Sequence, residues 1–249
     1  MSIKYAYLGP AGTFTEAALQ KIATASDQLI AFANVTAALD AVRNGQCQKA
    51  LVPIENSVEG VVARTLDELA IGKPLVITAE TTLPVTFFLM TLSNTNAAEI
   101  KSIATHPHAE SQCRSFIAKN YPNAQVIESS STAAAAKGLS RGDYDAAIAG
   151  SNAAKNYNLK VIAENIGDNT GAITRFVLVE NPGNLPKATG KDRTSLAVFI
   201  AATFAFAPSS SFVKAVLSLS VIKSLICCWI DFFVKFVNCS KIFAVIILG

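Results

Sequence analysis

The segment Ile3-Lys4-Tyr5-Ala6-Tyr7-Leu8-Gly9-Pro10-Ala11-Gly12-Thr13-Phe14-Thr15-Glu16 holds the start of a whole structural unit in fourteen residues. Residues 3–8 are dominated by apolar and aromatic side chains and read as a strand. The Gly-Pro-Ala-Gly run at 9–12 reads as a turn. A helix is predicted over 13–25, with Thr13 and Glu16 at capping-box spacing. Strand, turn and helix then recur. Further strands are predicted at 50–54, 75–78, 85–90, 102–105, 125–127, 146–149, 161–162 and 174–179. Helices are predicted near 35–44, 63–70, 110–121 and 132–139. Such alternation predicts an α/β fold built on mostly parallel sheets, with ligands gathering at the carboxyl ends of strands.

The two halves echo each other weakly. The opening unit resembles 102–105 followed by His106-Pro107 and a helix, and 50–52 before a polar loop resembles 146–149 before Gly150-Ser151-Asn152. Two similar lobes with a cleft between them are expected, a common setting for small-molecule sites. Residues 181–186, Asn-Pro-Gly-Asn-Leu-Pro, read as a boundary.

Composition narrows the function classes. The chain has 249 residues, and Lys+Arg 21 against Asp+Glu 18 gives a net charge of +3, with no long run of like charge. So mild a balance leaves no footprint for nucleic acid. Five cysteines (Cys47, Cys113, Cys227, Cys228 and Cys239) lack CxxC spacing and read as reduced thiols. Met1 to Pro10 carries no long apolar stretch of the secretory kind, so a cytoplasmic location is expected. The mean hydropathy of +0.38 is high for a soluble protein. Its source is residues 201–249, where 33 of 49 residues are hydrophobic and Asp231 is the sole acidic residue.

Four polar segments carry the candidate chemistry. Residues 9–15 set two glycines and two hydroxyls at a helix amino terminus, which is either an anion site or a well-capped helix. Residues 52–60 project Glu55, Asn56 and Ser57 from a strand end. Asn and Ser bind hydroxyls or carboxylates and Glu exchanges protons, the alternative being a solvated turn. His106 and His108, with Cys113 beyond, fall short of a zinc ligand set, so no metal is expected. Ser111 sits near them without a GxSxG elbow, which disfavours a hydrolase triad. The glycine-rich loop at 167–171 feeds a strand in which Arg175 is a candidate carboxylate clamp or, alternatively, a surface ion pair.

Their order is more telling than any one of them. Residues 7–15, residues 52–60, Thr105-His106-Pro107 with Gln112-Cys113, and Thr174-Arg175-Phe176 together resemble the prephenate dehydratase family, from about residue 4 to about residue 180. The resemblance implies a two-lobed catalytic domain like the type II periplasmic binding proteins, over 1–181. Lobe one would hold 1–78 plus 165–181 and lobe two 79–164, followed by a linker at 182–191. It further implies that Thr174 is the essential catalytic hydroxyl, with Glu55 and Asn56 as the family's Glu-Asn pair. Arg175, Phe176, Thr13, Thr105, His106, Gln112 and Ser57 are the implied substrate-binding positions. At His108 relatives commonly carry Gln, which leaves that position without an assigned role.

The implied reaction converts prephenate to phenylpyruvate, carbon dioxide and water in phenylalanine biosynthesis, a carbon–oxygen lyase activity. Aromatisation drives it, so neither cofactor nor metal is required. Arg175, Asn56 and the helix amino end at Thr13 would hold the dianion, while Thr174 donates to the leaving hydroxyl. Glu55 would orient Asn56 or the substrate. Arogenate is an alternative substrate, and a non-catalytic binding module is an alternative role for the same fold. The resemblance also implies a homo-oligomer.

The tail departs from that pattern. Residues 192–200 look like the opening strand of an ACT domain, which binds phenylalanine in this family. Neither a Pro-Gly-x-Leu turn nor a Glu-Ser-Arg-Pro segment follows, so 192–249 reads as an aberrant remnant with its phenylalanine site lost. A membrane anchor at 215–234 would have to bury Lys223 and Asp231, each costly in hydrocarbon. A divergent packed domain lacks turn residues. An out-of-frame terminus beginning near residue 201 accounts for the abrupt break, and no membrane partner is expected unless the tail inserts.

Overall fold

The computed structural model describes residues 2–183 and, beyond them, the backbone of two strands at 194–200 and 242–248. The chain divides into two units, Met1–Pro186 and Lys187–Gly249. In the first, the elements run β1 Lys4–Leu8, α1 Phe14–Leu19, β2 Gln28–Phe32, α2 Val35–Arg43, β3 Lys49–Asn56, β4 Gly60–Val61, α3 Ala63–Ile71 and β5 Val76–Pro84. They continue with β6 Phe88–Thr91, β7 Ser102–Thr105, α4 Pro107–Gln112, α5 Arg114–Asn120, β8 Gln125–Glu128, α6 Thr132–Ser140, β9 Ala146–Ala149, α7 Ser151–Asn156, β10 Lys160–Ala163 and β11 Ile173–Glu180.

Two sheets form, one per lobe. The first runs β2-β1-β3-β11-β5 with β4 paired to β3, and the second runs β10-β6-β9-β7-β8. The α/β two-lobed arrangement is as expected, but the sheets are mixed rather than mostly parallel. β1 pairs parallel with β2 and β3, and β7 with β8 and β9, while β5, β6, β10 and β11 pair antiparallel. The parallel pairs are the ones joined through helices. The antiparallel ones involve the strands that carry the chain toward or away from the other lobe, with no helical crossover to turn them.

The chain crosses between sheets at 85–87 and again at 164–172. The expected boundary at 78/79 therefore falls inside β5, which pairs with β11 from Val76 to Pro84. Likewise Ile166 and Ala172 pack in the second lobe's core beside Val85 and Phe87, although 165–181 was expected in lobe one. Strand pairing decides the first point and burial the second.

Alternation along each strand builds two-faced sheets. In the first lobe Tyr5, Tyr7, Leu51, Phe176 and Leu178 pack with Ala18 and Leu19 of α1. The alternate residues Ala6, Ala50, Val52, Val177 and Val179 are equally buried toward the other face, where α2 and α3 lie. In the second, Leu89, Ile103 and Ile148 meet Ala109, Cys113 and Ile117 of the α4–α5 layer. Met90, Ala104 and Ala147 meet Ala135, Leu139 and Ala153 of α6 and α7. Each large apolar side chain so buried contributes about 1.5–3 kcal/mol. Helix α1 ends at Leu19, short of the predicted residue 25: the N–H groups of Lys21 and Ile22 bond three residues back, to the Ala18 and Leu19 carbonyls, and Asp27 then takes the Thr24 N–H and hydroxyl before β2.

In the second unit β12, Thr194–Ile200, pairs antiparallel with β13, Ile242–Leu248, from Thr194↔Leu248 to Ile200↔Ile242. The linker expectation and the readings of most of the tail lie outside the described residues. No helix among the described residues is long and apolar enough to cross a membrane.

Candidate active site

Thr174 and Asn56 face each other across the β11–β3 pairing. Thr174 is 8% exposed, and its Oγ1 accepts a 2.8 Å hydrogen bond from Asn56 Nδ2. The amide cannot turn over without loss, because Asn56 Oδ1 already accepts the N–H groups of Val58 at 2.8 Å and Glu59 at 3.1 Å. The direction of the Asn56–Thr174 bond is thereby fixed. With Asn56 donating, the hydroxyl proton of Thr174 is left for another acceptor. Ser57 clips the same region together: its N–H donates to the Ile173 carbonyl and its Oγ accepts the Ile173 N–H, each at 2.9 Å. The register slips between Arg175 and Phe176, where Pro53 has no N–H to give the ladder.

Lobe two supplies Gln112. It is 9% exposed at the end of α4, and its Nε2 lies 3.4 Å from Glu59 Oε1 in lobe one. Its Oε1 is buried with no partner among the described residues. A buried acceptor in that condition is met by an ordered water or by a donor of a bound ligand. Glu59 also lies 3.8 Å from His108 Nδ1, so residues 56–59 and α4 meet across the junction of the lobes.

The structure does not bring all the expected residues to this point. Neighbours along a strand point to opposite faces, so Glu55 and Arg175 turn away from Asn56 and Thr174. Arg175 Nε donates to Glu80 Oε2 at 2.8 Å and Nη1 lies 3.7 Å from Glu55 Oε2. Its fork is committed to carboxylates of its own chain rather than offered as a clamp, and Glu55 does not orient Asn56. Phe176 is a core residue at 1% exposure. Thr105 donates to the Ile148 carbonyl at 2.9 Å and is buried, which ties β7 to β9. Thr13 caps α1, accepting the Glu16 N–H at 3.3 Å and donating to the Leu8 carbonyl at 3.0 Å. Of the backbone donors of the 9–15 segment, the Gly12 N–H is already taken by Glu16 Oε2 at 2.6 Å.

Among the described residues no group of three or more His, Cys, Asp or Glu is placed to hold a metal ion. Cys113 is core, and burial first, then the nearby Asp168, pushes its thiol up to about 12. His106 caps α4, its Nδ1 accepting the His108 N–H at 3.2 Å. Desolvation, and then the neighbouring His108, lower its pKa from the usual 6.5. A folded-state pKa below the unfolded one means that, on acidification through about 6.5, the unfolded chain takes the proton first. Stability is therefore complete above that pH and declines below it. His106→Asn keeps a capping side chain. Thermal midpoints at about pH 7.5 and about pH 5.5 are expected to drop less for this variant than for the parent; an equal drop would assign the acid sensitivity elsewhere.

Sequence reasoning passed over Glu59, although it lies inside the quoted polar segment. Glu16 was read as a helix cap alone. Asn152 was read only as part of a polar loop and Asn156 escaped notice, because α7, at six residues, is too short for periodicity to reveal.

A family model described as prephenate dehydratase matches residues 5–184. The chain belongs to the prephenate dehydratase family. The prephenate dehydratase of Amycolatopsis methanolica is 46% identical over 194 residues, covering 78% of this chain and 63% of that one. The prephenate dehydratase of Mycobacterium marinum is 42% identical over 207 residues, covering 80% of this chain and 66% of its own. The crystal structure of the prephenate dehydratase of Arthrobacter aurescens, in complex with L-Phe, is 47% identical with a TM-score of 0.74, over 79% of this chain and 66% of that one. The chain thus spans somewhat less than two thirds of the length of these relatives, and the shared part carries Thr174, Asn56 and Gln112.

Proposed function

We propose that this chain converts prephenate to phenylpyruvate as a carbon–oxygen lyase. Prephenate dianion plus one proton gives phenylpyruvate, carbon dioxide and water. The carrying observation is the direction of the Asn56–Thr174 bond, which frees the Thr174 proton for the leaving hydroxyl. A threonine hydroxyl is a feeble acid, so its contribution is a hydrogen bond strengthened by burial as negative charge grows on the departing oxygen. Gln112, on the facing lobe, holds the bound substrate, its buried Oε1 taking the O–H of that same ring hydroxyl while Thr174 assists its departure. Ser57 contributes indirectly by holding Ile173, and with it Thr174, in place.

The described thiols, Cys47 and Cys113, are free and buried, which fits a reducing, cytoplasmic setting. Since the tail lacks the Pro-Gly-x-Leu and Glu-Ser-Arg-Pro segments, phenylalanine is not expected to regulate this chain. The test is phenylpyruvate formation from prephenate by the full chain, with and without phenylalanine. Turnover well above buffer and equal in both is expected. No turnover by folded protein would refute the reaction, and inhibition by phenylalanine would refute the lost regulatory site.

A further inference from the structure

One buried carboxylate has no part in that chemistry. Glu16 is 8% exposed on α1 and accepts four hydrogen bonds. Its Oε1 takes the Tyr7 hydroxyl at 3.1 Å, and its Oε2 takes the Gly12 N–H at 2.6 Å. The other two donors come from lobe two: Asn152 Nδ2 at 2.9 Å and Asn156 Nδ2 at 2.8 Å, both on α7. A carboxylate held out of water needs such donors, and charge-assisted bonds exceed neutral ones in strength. The full set converges only when α7 lies against the glycine turn of lobe one.

Neighbouring contacts require the same approach. Tyr157 donates to the Ala11 carbonyl at 2.7 Å. Gly12 has φ +91, and a Cβ there would stand 3.1 Å from Ala153 Cα. Thr13, not the carboxylate, caps the helix N–H of residue 16, so the carboxylate is not needed for that local task.

We propose that Glu16 is a positioning residue whose carboxylate latches α7 of lobe two to the glycine turn of lobe one. The latch sets the separation at which Gln112 faces the Thr174–Asn56 pair. This rests on the reaction proposed above. Without the latch only a fraction of molecules would hold the competent separation, and substrate binding would have to select them. The apparent affinity falls by that fraction, while turnover at saturation is preserved.

The test is Asn152→Ala combined with Asn156→Ala in the full chain, which leaves the Glu16 contacts to Gly12 and Tyr7 in place. Hydrogen exchange is expected to quicken in residues 9–16 and 151–157 while strands β3 and β7 stay protected. KM for prephenate is expected to rise about tenfold with kcat within about twofold. Glu16→Gln keeps one oxygen for the Gly12 and α7 donors and turns its amide nitrogen to the Tyr7 hydroxyl, so it should cost little, whereas Glu16→Ala removes every acceptor and should raise KM as the double variant does. Unchanged KM and exchange in the folded double variant would overturn the latch, as would exchange that quickens throughout the chain. If the parent chain does not turn over prephenate, the reaction is refuted while the local exchange pattern still decides the latch.

Discussion

Thr174→Val is expected to lower kcat on prephenate by about 10²–10⁴-fold, with KM changed by a few-fold at most. Valine matches threonine in shape and is as comfortable in a strand, so β11 should form as before. What disappears is the one hydroxyl whose proton the Asn56 amide leaves unclaimed. The amide of Asn56 then loses its acceptor, at a cost of about 1–3 kcal/mol in stability. Circular dichroism and the thermal midpoint separate that cost from the chemical one. A folded Thr174→Val protein with parental kcat would remove this residue from the mechanism.

The second large effect is expected at Asn56. Asn56→Asp keeps an oxygen for the Val58 and Glu59 N–H groups, so the turn that those bonds define is preserved. The other oxygen, however, replaces a donor by a charged acceptor. Thr174 would then give its proton to Asp rather than to the substrate, and a negative charge would face a dianion. Loss of about 10²–10³-fold in kcat/KM is expected with a near-parental thermal midpoint. Retained activity would show that the direction of the Asn56–Thr174 bond does not matter.

Asn56 was legible as part of a polar segment at the carboxyl end of β3, where α/β folds place their chemistry, whereas Thr174, near the start of β11, was marked by the family resemblance alone. Periodicity also located β1, β3, β7, β9 and β11 and the helices between them. What it did not reveal was pairing. Glu55 sits beside Asn56, and Arg175 beside Thr174, so adjacency in sequence placed all four in one site. Strand alternation sends each pair to opposite faces, and Arg175 meets Glu55 and Glu80 instead. Sheet direction was missed for the same reason, since β11 enters the first sheet from the other lobe. β2 escaped because a five-residue edge strand with mixed burial carries little pattern. The bonds of Glu16 reach 136 and 140 residues along the chain, beyond any local rule.

The most direct test sets Thr174→Ser beside Thr174→Val and follows phenylpyruvate formation from prephenate. Serine restores the hydroxyl without the methyl group. The account predicts a serine variant within about tenfold of the parent and a valine variant at least about a hundredfold slower. Serine and valine variants of equal rate, both folded, would contradict it.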